Sequence, residues 1–134
     1  MTADVRHEVH LTVPGVLTAM EAAVEARGRG YVYRPPDGHD QCLYVWEGCA
    51  SCLIGDSLSR CGVPLAELGR REGTPARRLL RDLAADRFVT YEPAVANLLG
   101  DAQLVQDGSE GSPGTWGEAL DVARVARAVS GVAR

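Results

Sequence analysis

The chain contains no lysine: all 14 of its basic residues are arginine. It also has a single isoleucine (Ile54), a single phenylalanine (Phe88) and a single asparagine (Asn97), while Ala, Gly, Val, Leu and Arg dominate. That usage is expected of a GC-rich genome, so the lysine-free surface carries no functional message. No apolar run approaches the roughly 18–20 residues that cross a bilayer, which excludes a membrane-spanning helix. The first residues, MTADVRHEVH, lack the basic start and apolar stretch of a secretory leader, so an intracellular protein is expected. A net charge of −4 argues against general affinity for nucleic acid or anionic membranes. No glycine-rich phosphate loop or nucleophile elbow is present. His7-Glu8-x-His10 lacks the i, i+4 histidine spacing of a zinc protease.

What remains is a 134-residue chain, the length of one domain, with ordinary hydrophobic and charged fractions of 46% and 24%. Residues 5–13 alternate loosely as a short strand would. Pro14 suits a helix start, and Gly28 a helix stop. Tyr31-Val32-Tyr33 and Cys42–Trp46 both alternate and are separated by a Pro/Gly loop, which predicts a hairpin with four aromatics (Tyr31, Tyr33, Tyr44, Trp46) on one face. A tight turn at Glu47-Gly48 should then lead into a helix opening on Cys49-x-x-Cys52. On that helix Cys52, Gly55 and Ser59 make an unusually small face, suited to close approach of another backbone. Thr74 before Pro75 predicts another helix start, and so does Thr115. The fold expected is α+β: a small antiparallel β-hairpin sheet packed against five or six helices, in a single domain over 1–134.

All four cysteines lie between Gln41 and Gly62, and they are the only candidate chemistry. A thiol–disulfide site is one reading, because a helix N-terminus lowers thiol pKa at Cys49-x-x-Cys52. A zinc site is a second, with His39, Cys42, Cys49 and Cys52 as ligands. Against it, an extended 42–49 segment holds the two pairs about 20 Å apart. The third reading, and the favoured one, is that the thiols fill interior space as small hydrophobes.

Leu65–Leu83 meets the steric pattern of a helix-turn-helix, with Arg77, Arg78 and Arg81 on its second helix. Glu72 and Asp82 fall where that motif packs apolar residues, and the chain is acidic, so an ordinary helical pair is preferred. Gln103, Gln106 and Asp107, followed by Trp116, form a polar cluster beside an aromatic, read as a helix end stapled across a loop. A ligand site is expected around the 31–46 loop (Arg34, Asp37, His39) and the start of the cysteine helix (Gly48, Cys49, Ser51), whose backbone N–H groups suit an anionic group.

Several stretches together resemble an uncharacterised family of small proteins from actinobacteria and their phages. They are Tyr31-Val32-Tyr33, the Pro/Gly loop, Cys42-x-Tyr44-Val45, Gly48, Ser51-Cys52-Leu53-Ile54-Gly55, Leu58 and Gly62-Val63, then Ala102-Gln103-x-x-Gln106-Asp107 and Thr115-Trp116-Gly117-x-Ala119. The resemblance covers residues 30–125. It implies no activity. It implies proline where this chain has Ala50 and no cysteine at the position of Cys49, which makes the Cys-x-x-Cys incidental, and it suggests an accessory or host-interaction role. The reading that follows is a small, non-enzymatic, intracellular binding or interaction module without a cofactor. Its ligand would be a protein or a small molecule, and the unpaired edges of a short sheet suggest a homodimer.

Overall fold

The computed structural model describes residues 8–36, 38, 42–108 and 112–132, with side chains to residue 127. The chain begins with strand β1 (Val9–Leu11) and helix α1 (Val13–Arg27). A short hairpin follows, β2 (Val45–Trp46) and β3 (Cys49–Ala50), and runs into α2 (Leu53–Arg60). Next come α3 (Leu65–Gly69), α4 (Ala76–Ala85), strand β4 (Val89–Tyr91), α5 (Pro93–Asp107) and α6 (Trp116–Val132). This is the α+β architecture the sequence implies: among the described residues, six helices with an antiparallel hairpin, plus a parallel pair of strands.

Helix α1 starts where Thr12 accepts a hydrogen bond from Gly15 N at 3.1 Å, and stops at Gly28, whose φ of 96° suits only glycine. Helix α6 opens on a capping box. Glu118 N donates to Thr115 Oγ1 at 3.0 Å while Thr115 N donates to Glu118 Oε1 at 2.8 Å. Helices α5 and α6 pack along one another, α1 lies against α2 and α6, and α4 leans on α5. Leu53, Ile54, Leu58, Leu79, Leu83, Leu98 and Trp116 fill the shared interior. Strand β1 pairs in parallel with β4, Val9 opposite Val89, across most of the sequence. This pairing joins the N-terminal strand to the segment between α4 and α5, a contact that local patterning cannot reveal.

The hairpin differs from the sequence expectation. Tyr31–Tyr33 is not a strand. Val45–Trp46 pairs with Cys49–Ala50 through the predicted turn, where Glu47 and Gly48 have φ of 51° and 77°, as a two-residue turn of the twisted hairpin type requires. The cysteine helix therefore begins four residues later than expected, at Leu53, with Cys52 at its N-cap. The four aromatics do not share a face. Tyr31 meets Trp116 edge-on at 4.8 Å, Tyr33 and Tyr44 are buried, and Trp46 is 40% exposed. Three alternating residues bounded by prolines carry too little periodic signal to distinguish a strand from an extended loop.

The small face of α2 does its expected work. A Cβ on Gly55 would sit 2.2 Å from the carbonyl oxygen of Tyr44, so only glycine lets the helix lie on that backbone.

Candidate functional site

Four helices start without a cap hydrogen bond from their own N-cap side chain, among them α2, preceded by Cys52, and α4, preceded by Pro75. Helices α2 and α4 are capped instead from α5. Leu53 N donates to Gln106 Oε1 at 2.8 Å, and Ala76 N donates to Gln103 Oε1 at 2.8 Å. The glutamines are three residues apart on α5, so they share one face. Because each amide oxygen is held by a backbone N–H, each amide NH2 must turn the other way, toward Cys42 and Tyr44.

There the two NH2 groups meet partners. Gln103 Nε2 donates to Tyr44 Oη at 3.2 Å, and Tyr44 Oη donates to the carbonyl of Thr74. Gln106 Nε2 donates to Asp107 Oδ1 at 3.0 Å and faces Cys42 Sγ at 3.5 Å. Tyr33 Oη accepts from Leu43 N at 3.2 Å and lies 2.9 Å from Ser51 Oγ. Glu72 holds the strand entrance, its carboxylate accepting from Tyr44 N at 2.7 Å and Val45 N at 3.0 Å. These groups surround a cleft of about 460 Å³. Tyr44, Gln103, Gln106, Cys42 and Asp107 contribute its polar lining, and Pro35, Pro75, Leu104 and Pro113 its apolar sides.

Burial raises the Tyr44 phenol above its ordinary range, so it stays a neutral donor, and Tyr33 is raised for the same reason. Cys42 is pushed far above the ordinary thiol range, first by the adjoining Cys52 thiol and then by burial. Asp107 is exposed as a residue, but desolvation of its carboxyl toward the cleft raises it, against a smaller lowering by the Gln106 hydrogen bond.

The sequence-predicted site residues are distributed differently. Arg34 is exposed, and Asp37 and His39 lie outside the described residues. Gly48 and Cys49 are exposed at the hairpin, while Ser51 points its hydroxyl at Tyr33. Of the amides expected to bind an anion, that of Ser51 is already occupied, as are the two that follow it. Ser51 N donates to Tyr44 O at 3.0 Å, Cys52 N to Leu43 O at 3.0 Å, and Leu53 N to Gln106. Cys49 is therefore on a strand rather than at a helix end. Of the zinc set, Cys42 and Cys52 adjoin and Cys49 is exposed. Among the described residues no group of three or more His, Cys, Asp or Glu is placed to hold a metal ion, and His39 is outside them.

Arg77, Arg78 and Arg81 are exposed on α4, Arg77 beside Asp101 at 3.4 Å. Leu68 and Leu79 are buried as a helix-turn-helix would have them, but α3 has only five residues, and Glu72 serves the hairpin. No helix among the described residues is long and apolar enough to cross a membrane.

The sequence flagged Gln103, Gln106 and Asp107 as a polar cluster beside an aromatic but gave them no binding role. The i, i+3 spacing of two glutamines in a helix otherwise rich in Leu, Ala and Val was the available signal, because a buried amide needs partners. Compared with protein-family models, curated proteins and solved structures, the chain matches none.

Proposed function

We propose that the protein is a small non-enzymatic binding module whose ligand enters the cleft between Tyr33, Pro35, Cys42 and Tyr44 on one side and α5 on the other. One observation carries the reading: two amides, a neutral phenol, a thiol and a carboxylate converge on one concavity of about 460 Å³ with apolar sides. That size and mixture suit small-molecule binding. Among the described residues nothing in the cleft resembles an activated nucleophile with its base. The phenol and the Cys42 thiol are both held in their neutral forms, which fits recognition better than covalent catalysis.

The four cysteines are free thiols, which supports an intracellular setting. The resemblance to small proteins of actinobacteria and their phages supports an accessory role. The two-stranded sheets have unpaired edges, which supports a homodimer and is checked by light scattering. The binding reading is tested by mapping amide shifts of isotopically labelled protein against a chemically diverse set of small polar molecules. Binders are expected to move Tyr44, Gln103 and Gln106 together. Shifts scattered over the surface, or none with any compound, would remove the cleft as a binding site.

A further inference from the structure

Resting on the cleft as the binding site, the orientation of its polar groups restricts what can bind there. Gln103 cannot flip, because Ala76 N already donates to its amide oxygen at 2.8 Å. Its NH2 therefore points into the cleft, where one hydrogen goes to Tyr44 Oη at 3.2 Å. An amide carries two hydrogens, so one donor remains for a ligand. Gln106 spends its NH2 on Asp107 Oδ1 and Cys42. The Asp107 carboxylate accepts only that bond among the described residues, and its remaining lone pairs are acceptors for a ligand. Gln103 and Asp107 are four residues apart on α5, hence neighbours on one face.

The cleft thus presents a fixed donor beside a fixed acceptor. Among the described residues no arginine or histidine lines it, and the one formal charge they bring is negative. A phosphate or carboxylate ligand would meet Asp107 with nothing to offset the repulsion. Leu104, Pro75 and Pro113 supply apolar lining against which a ring can lie.

The geometry points to an uncharged, planar cyclic amide as the ligand, its carbonyl accepting from Gln103 Nε2 and its adjacent N–H donating to Asp107. Nucleobase-type heterocycles present this edge. An open-chain amide offers it too, but it has a rotatable plane to immobilise and less surface to lay against the prolines and Leu104.

The test titrates labelled protein with uracil, with hypoxanthine and with inorganic phosphate, following the Gln103 side-chain NH2 and the backbone around Asp107. Uracil or hypoxanthine should move both sets of signals, and phosphate should move neither. Asp107→Ala should weaken that binding at least about tenfold, the usual worth of a hydrogen bond to a charged group. Asp107→Ala also takes an acceptor from the buried Gln106 Nε2, so Asp107→Asn, which keeps an acceptor for Gln106 but loses the carboxylate, is measured beside it, and loss of binding by the Asn variant at an unchanged thermal midpoint reports on recognition. Binding of phosphate in place of the cyclic amides, or cyclic-amide binding indifferent to Asp107→Ala, would overturn this ligand class. If neither heterocycle binds but an unrelated compound moves Tyr44, Gln103 and Gln106, the ligand class falls and the cleft reading survives. If no compound moves them, both fall.

Discussion

Gln106→Leu is the sharpest probe of how this fold is tied together. Gln106 is 1% exposed and its Oε1 takes the first N–H of α2, the donor that Cys52 leaves uncapped. Leucine has nearly the same volume, so the substitution makes little cavity and isolates the polar loss. Leu53 is fully buried, and an unsatisfied buried donor costs about 1–3 kcal/mol. The lost cap bond is the same interaction and is not counted again. Losing the bonds from Gln106 Nε2 to Asp107 and Cys42 adds little, because Asp107 reaches water. The apolar gain from leucine offsets part of the loss, leaving a net cost of about 2 kcal/mol. For a chain of this length that lowers the thermal midpoint by about 6–10 °C. Urea unfolding gives the free energy directly, and hydrogen exchange at the Leu53 amide locates the damage. Gln106→Glu, which keeps an acceptor for Leu53 N, should protect that amide better than Gln106→Leu does. If Gln106→Leu unfolds at the wild-type urea midpoint with Leu53 still protected, α2 does not depend on a cap supplied from α5.

Two further outcomes follow from the same packing. Gly55→Ala places a Cβ 2.2 Å from the Tyr44 carbonyl oxygen, whose backbone is fixed by Ser51 N and Glu72; an overpacking cost of about 1–3 kcal/mol outweighs a helix-propensity gain of at most about 1 kcal/mol. Gly100→Ala meets only the guanidinium of the exposed Arg77 and should be neutral or stabilising in the same urea assay, so equal behaviour of the two variants would contradict the structure. Alkylation followed by mass spectrometry should label Cys49 first, Cys42 and Cys61 slowly because burial and, for Cys42, the Cys52 thiol raise them, and Cys52 only with global unfolding. Raising the pH should speed Cys42 and Cys61, since only the thiolate reacts; a Cys42 that labels as fast as Cys49 at neutral pH would refute this order.

The legible parts of the sequence were those whose physics is local. Gly28 stops α1 and the Thr115–Glu118 pair opens α6 because caps act within one turn of the helix. The close approach over Gly55 was visible as a run of small residues at helical spacing. Tyr31-Val32-Tyr33 was misread because three alternating residues fit an extended loop as well as a strand. The parallel pairing of β1 with β4 left no trace, since its partners are 80 residues apart. The cleft was hidden for the same reason. Gln103 and Gln106 act on N–H groups 27 and 53 residues away, and an amide in a helix looks alike whether it caps a distant element or faces water.

The same caps explain why the most conspicuous motif misleads. Cys49-x-x-Cys52 suggests an activated thiol only if a helix with free N–H groups begins at Cys49. The turn at Glu47-Gly48 instead returns the chain as β3, which uses up Cys49, and the ladder continues through Ser51 N and Cys52 N. When α2 does begin, Gln106 already occupies its first amide, and Cys52 is fully buried. The thiol nearest the cleft, Cys42, faces a second thiol and no cation, and both burial and that neighbour oppose its ionisation. Reactivity would need a positive field at the sulfur, and the hydrogen bonds that close the fold have taken the groups that would provide it. The Gln106 amide that caps α2 beside the cysteines also lines the adjoining concavity, so one arrangement occupies that helix end and leaves a hydrogen-bonding cleft.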